Sequence, residues 1–175
     1  MMSLSYLSIK GAKMNKGKIF FKELENSLIL RLVGDIRYTD IFGFDKLIEE
    51  TIKNKKFSKI LIDLSDTVSI DSTNLGELAK IANYTKKEFN KKPIIFSPND
   101  DMIYLLNKLG FSTVFNIINR QQAIQSGFSE IKNVSDDKEK TPRIILENHR
   151  ELAMLSDDNK KLFKNIIANL EKEIK

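Results

Sequence analysis

Phe57-Ser58-Lys59-Ile60-Leu61-Ile62-Asp63-Leu64-Ser65-Asp66-Thr67-Val68-Ser69-Ile70-Asp71-Ser72-Thr73-Asn74-Leu75-Gly76 is the stretch that separates one fold class from another. Ile60-Leu61-Ile62 is a short continuous apolar run. It fits a central strand buried on both faces, within Phe57 to Leu64. A loop is expected from Ser65 to Asp71. Beyond it Leu75, Leu78, Ala79, Ala82 and Phe89 recur at helical spacing up to about Asn90. A buried strand that feeds a helix through a polar loop is the repeating unit of a parallel sheet.

Toward the N-terminus, Lys18 to Leu24 and Ser27 to Val33 are apolar, β-favouring runs on either side of Glu25-Asn26, which has the residue types of a tight turn. Gly34-Asp35 is a stop signal for the second run. Ile41, Phe44, Leu47, Ile48 and Ile52 predict a helix over Ile41 to Asn54. Toward the C-terminus, Pro93 to Ser97 is a strand. Pro98-Asn99-Asp100 opens a third helix that Gly110 ends. Phe111 to Ile118 offers a last short strand and Gln121 to Ile131 a fourth helix. Strands alternating with helices give an α/β fold: a mixed sheet with central parallel strands, right-handed crossovers and an antiparallel hairpin at its edge.

The chain divides into a flexible leader over 1–16, a domain over 17–131, a polar linker over 132–141 and a helical hairpin over 142–175. Thr141-Pro142 starts a helix with Ile145, His149, Leu152 and Leu155 on one face. Ser156-Asp157-Asp158 caps another, whose stripe is Leu162, Phe163, Ile166, Ile167, Leu170 and Ile174. Two helices of this length cannot bury their stripes alone. They dock on the domain, pair as a homodimer or bind a partner. His149, alone on its face, is expected as a packing or surface residue.

The composition excludes much chemistry. Among 175 residues there is no cysteine, so disulfides, zinc thiolates and thiol nucleophiles are absent, and the one histidine leaves no multi-histidine metal site. No apolar run approaches the roughly 20 residues that span a bilayer, so a cytoplasmic protein with no membrane insertion is expected. Net charge is +5, from 29 basic and 24 acidic residues, which is mild. The lysine clusters at Lys53, Lys55 and Lys56 and at Lys86, Lys87, Lys91 and Lys92 fall at expected helix ends, where cations complement the dipole. Nothing resembles a nucleic-acid module. A Gly-x-Gly-x-x-Gly turn, a phosphate loop and a His-Glu-x-x-His pair are all missing, so no enzyme, cofactor or metal is expected.

Asp71-Ser72-Thr73-Asn74 lies where parallel-sheet proteins place functional loops, at the carboxyl end of a strand and the start of a helix. A phosphate on a hydroxyl there would sit in the favourable field of the helix N-terminus and add about −1.5 to −2 charges to a docking surface. The same residue types are also ordinary helix caps, and Asn74 with Glu77 has capping-box spacing. Spacing alone leaves both open.

Ile70-Asp71-Ser72-Thr73-Asn74-Leu75-Gly76 resembles the Asp-Ser-Ser/Thr-Gly-Leu-Gly signature of STAS domains, specifically of bacterial anti-sigma factor antagonists. Leu32-Val33-Gly34-Asp35-Ile36 resembles that family's turn after the second strand, and Ile60 to Leu64 its central strand. Leu105-Leu106-Asn107-Lys108-Leu109-Gly110-Phe111 and Val114-Phe115 resemble its third helix and final strand. Together these span about Lys18 to Ile131. The sequence departs from the pattern at Asn74, which replaces a glycine, and at Arg37, where a second acid is common. The resemblance implies a STAS-type sheet with about four helices. It implies phosphorylation at Ser72, with Thr73 the second candidate. Its partners are a serine kinase that is also the anti-sigma factor, which the unphosphorylated form binds so that the sigma factor is released, and a serine phosphatase. Asp35, Asp71, Ser72, Thr73, Asn74 and Leu75 would form the partner-binding surface. An alternative is a non-phosphorylated interaction subunit of a lipid-transport ABC system or a larger signalling complex.

Overall fold

A computed structural model describes residues 16–119, 126–132 and 139–174. Strands β1 (Lys18–Leu24) and β2 (Ser27–Ile36) pair antiparallel across the two-residue turn Glu25-Asn26, with Glu25 at φ 37°. A positive φ in such a turn matches the twist of the strands it joins. A 3₁₀ turn (Tyr38–Asp40) leads into α1 (Ile41–Asn54). The order continues with β3 (Lys59–Ile70), α2 (Ser72–Phe89), β4 (Ile94–Phe96), α3 (Asp100–Lys108), α4 (Phe111–Val114), β5 (Asn116–Ile118) and β6 (Ser129–Glu130), and ends with α5 (Thr141–Ala153) and α6 (Asp157–Glu173). The sheet order is β5-β4-β3-β2-β1-β6, with β2 to β5 parallel and β1 antiparallel to both its neighbours.

Alternate residues of the central strands face one core. Leu28, Leu30 and Leu32 of β2, Ile60, Ile62 and Leu64 of β3 and Ile95 of β4 join Phe44 and Ile48 of α1, Leu75 and Leu78 of α2 and Leu106 of α3 in a single buried cluster. Each such side chain contributes roughly 1.5–3 kcal/mol on burial. α1 and α2 end at Lys55 (φ 47°) and Asn90 (φ 51°), left-handed closures with lysines in the last turn. α5 packs along α2 and α6 folds back on α5. Ile144, Leu152, Ala153 and Phe163 of this hairpin belong to the same cluster as the sheet.

Several sequence expectations are corrected. β2 does not stop at Gly34-Asp35. Gly34 adopts φ 78° at a register shift against β3, so a bulge carries the strand on to Ile36. Ser65 to Ile70 is strand rather than loop, because the bulged end of β2 pairs with it. Phe111 to Val114 is a helical turn rather than strand, which stacks Phe111 on Phe115 at 5.4 Å. Of the expected Gln121 to Ile131 helix, residues 121–125 lie outside the described residues, and Ser129–Glu130 is strand. β6 therefore covers the outer side of β1, and the hairpin is not the sheet edge. Thr141 is the first residue of α5, not its cap. Of the leader over 1–16, only Lys16 is described, bridged to Asp35.

Only glycine takes the φ of position 34 without the roughly 1–2 kcal/mol cost of left-handed backbone. Gly34→Ala is expected to lower the unfolding free energy by about that amount in urea melts followed by circular dichroism. An unchanged midpoint would contradict the bulge.

Candidate functional site

The β3–α2 junction is held by one carboxylate. β3 ends at Ile70, and the Asp71 amide donates to Ile36 O at 3.2 Å. Asp71 is extended (φ −84°, ψ 168°) and caps α2: its Oδ1 accepts from the Asn74 amide at 3.0 Å and from Asn74 Nδ2 at 2.9 Å. Its Oδ2 accepts from the Tyr38 amide at 2.5 Å, which ties α2 to the end of β2. The capping box of Asn74 with Glu77 does not form, because Asn74 serves Asp71. Ser72 is thereby the first residue of α2 and half-buried.

Ser72 Oγ lies 2.9 Å from Nε2 of His149 on α5. His149 Nδ1 is 2.7 Å from Ile145 O. A carbonyl only accepts, so Nδ1 carries the proton there, and the Nε2 of a neutral ring is left to accept from the Ser72 hydroxyl. The ring is 4% exposed and sits edge-on to Phe163 of α6 at 5.8 Å.

One turn further along α2, the helices touch. A Cβ on Gly76 would stand 2.1 Å from Asn148 O and 2.6 Å from Asn148 Cβ, so only glycine admits α5 at this distance. Asn148 Nδ2 donates to Thr73 O at 3.1 Å and to Glu77 Oε2 at 2.8 Å. Glu77 is fully buried, and burial pushes its carboxyl up to about 8, against the lowering pull of the Lys80 ammonium 3.4 Å away. Burial alone would depress Lys80, but Glu77 and Asp45 (2.8 Å) outweigh it and hold Lys80 above the usual lysine range.

Asp35 accepts from Ser69 Oγ at 2.6 Å and lies 3.8 Å from Arg37 Nη2. The carboxyl ends of β2 and β3 thus bring Asp35, Asp71 and Ser72 to one rim. Thr73, Asn74 and Leu75 are buried beneath it. His149 does pack, as expected, but its bond to Ser72 was not anticipated, and Gly76, Asn148 and the burial of Glu77 were missed. The terminal glycine of the signature was the one sequence sign that something approaches α2 closely. A cavity of about 460 Å³ lies at the opposite, amino end of the parallel strands, lined by residues such as Leu28, Ile29, Leu61 and Ile94. Among the described residues no His, Cys, Asp and Glu group could hold a metal, and no helix is long and apolar enough to cross a membrane.

A carboxyl whose pKa rises on folding holds a proton in the folded chain that the unfolded chain has lost. Glu77 therefore favours the folded state most below its ordinary pKa of 4.5, and that contribution drains away as pH rises to about 8. Glu77→Gln is expected to flatten the fall in melting temperature between pH 5 and pH 8, about the window this shift defines. Parallel pH profiles of the two proteins would contradict a protonated Glu77.

The STAS domain family model matches residues 18–124. Among solved structures, the unphosphorylated form of the anti-sigma factor antagonist SpoIIAA superposes with TM-score 0.51 at 12% identity, covering 59% of this chain and 89% of that one. The phosphorylated form of the Bacillus cell fate determinant SpoIIAA gives 0.49 at 13% identity, over 57% and 90% of the two chains. The NMR structure of the protein TM1081 gives 0.50 at 22% identity, over 68% and 90%. No curated protein sequence matches the chain. The family match takes in strands β1 to β5, the Asp71 cap and Ser72, so the chain belongs to the STAS domain family.

Proposed function

We propose that the chain is a non-enzymatic, phosphorylation-switched interaction module of the anti-sigma factor antagonist kind. The unmodified protein docks on a serine kinase that is also the anti-sigma factor, and the sigma factor is released. Ser72 then accepts the γ-phosphoryl group of ATP on that kinase. The Oγ–H bond gives way to an Oγ–P bond, the proton passes to a base of the kinase, and ADP departs. A serine phosphatase restores the hydroxyl by hydrolysis. Asp35, Asp71 and Ser72 form the contact rim, with Thr73, Asn74 and Leu75 shaping it from below.

The observation that supports this reading most is the position of Ser72: a hydroxyl on the half-buried first residue of α2, at the carboxyl edge of a parallel sheet. The helix field there favours a phosphate. A phosphoserine adds about −1.5 to −2 charges beside Asp71 and Asp35, so a partner complementary to the neutral rim is repelled. The switch needs no further chemistry from this chain.

A second reading is a STAS subunit of a lipid-transport ABC system or a larger signalling complex, with no phosphorylation. It is favoured by Leu162 and Met154 on the C-terminal hairpin, 61% and 69% exposed. The same side chains are where a homodimer through these helices would close.

Incubation with candidate cognate serine kinases and ATP is expected to place one phosphate on Ser72, as mapped by mass spectrometry, and Ser72→Ala to abolish it. Clean incorporation away from Ser72 and Thr73 would overturn the switch. Capture of a transporter ATPase, undiminished by Ser72→Glu, would favour the second reading.

A further inference from the structure

The α5–α6 hairpin sits on the face of α2 that carries Ser72. Its contacts follow the helix from Ser72 to Asn83: His149 to Ser72, Asn148 to Thr73 O, Asn148 against Gly76 and to Glu77, and Glu151 to Asn83. Anything larger than a small molecule that approaches the Ser72 hydroxyl along this face meets α5 first.

The sheet domain is complete without this hairpin. The family match ends at residue 124, before α5 begins, and the SpoIIAA and TM1081 structures are covered over 89% and 90% of their lengths while leaving a large part of this chain unmatched. The α2–α5 contact also differs in character from the core. The core is aliphatic and aromatic, whereas this contact buries Glu77, Asn148 and His149. Glu77 Oε1 and Asn148 Oδ1 are both buried here without a hydrogen-bond partner among the described residues. Each such atom gives back part of what docking gains, and does so only while the helices are together. Once α5 lifts, Asn148 Oδ1 and the Glu77 carboxyl turn toward water. An interface built this way is easier to open than the sheet beneath it.

We propose that the α5–α6 hairpin is an autoinhibitory cover on α2, seated by Asn148 against Gly76 and latched by His149 to Ser72, and that a partner reaches Ser72 only from the lifted form. This rests on the reading of Ser72 as the partner-facing hydroxyl and adds the regulation of that site. Partner and hairpin compete for one helix face, so the apparent dissociation constant is the intrinsic one divided by the lifted fraction. Kinase access to Ser72 is reduced by the same fraction. A signal that holds the hairpin away would sensitise the switch without touching the rim. His149 is a positioning residue in this scheme: it holds the hydroxyl against α5 and takes no part in phosphoryl transfer.

The chain contains no cysteine, so Ser72→Cys installs a single thiol at the covered position. Its reaction with a polymer-linked maleimide, too bulky to pass α5, reads the lifted fraction. In this background the native protein is expected to label at least about tenfold slower than the same chain in urea, in proportion to a minor open state. Adding Gly76→Ala wedges the two helices apart and is expected to raise the rate at least about tenfold. Adding Asn148→Ala removes two bonds across the interface while leaving α2 unaltered, and should act in the same direction. Hydrogen exchange at β3 amides reports whether each variant keeps its sheet. If Gly76→Ala loses that protection, Asn148→Ala decides. A native rate equal to the unfolded rate, or rates unmoved in folded variants, would overturn the cover. The assay contains neither kinase nor nucleotide, so its failure strikes the cover alone, whereas an unphosphorylated Ser72 in a lifted variant strikes the switch.

Discussion

The carboxylate of Asp71 is the constraint on which the site depends. With one oxygen it stops the first turn of α2 from fraying, and with the other it fastens that turn to the Tyr38 amide at the end of β2. Its backbone amide extends the pairing of β2 with β3 by one more bond, to Ile36 O. Three anchor points on one residue leave its neighbour little freedom. Ser72 must be the first residue of the helix, and its side chain must stand at the carboxyl rim of the sheet, against His149. The location of the hydroxyl is thus a consequence of strand pairing and helix capping, and the bulge at Gly34 is what lets β2 reach far enough to supply Ile36 and Tyr38.

Much of this was legible in the residues themselves. The turn at Glu25-Asn26, the α1 periodicity, the apolar run Ile60 to Ile62 and the Ser156 cap all report local preferences, and each element formed where it was read. Where local preference and tertiary context part, the reading failed. Ser65 to Ile70 looks like a polar loop because its neighbours in the sheet are not visible along the chain; Thr67 and Ile70 turn inward while Asp66 and Val68 face water. Thr113 and Val114 favour strand, but burying Phe111 and Phe115 together requires a spacing of one helical turn. Gly34 was read as a terminator, and its positive φ instead keeps the strand going.

The site was legible only on one side. Asp71 and Ser72 are neighbours, so their spacing announces a cap and a hydroxyl. His149 and Asn148 meet α2 across more than seventy residues, and no periodicity in α5 distinguishes a face that rests on apolar side chains from one that rests on Ser72 and Glu77. The polar character of that contact sets the hairpin apart from the rest of the core. It joins the hydrophobic cluster through Ile144, Leu152 and Phe163, and yet meets α2 with the amide of Asn148 and the imidazole of His149, the first of them against the buried Glu77 carboxyl.

The coupling between Ser72 and His149 is the most direct test of that account. In a double-mutant cycle, Ser72→Ala, His149→Ala and the double variant are compared by chemical denaturation. A bond that joins the Ser72 hydroxyl to the hairpin predicts a coupling energy of about 1 kcal/mol, typical of a buried neutral hydrogen bond. Effects that add within about 0.3 kcal/mol would show two residues that do not sense each other, and would contradict it.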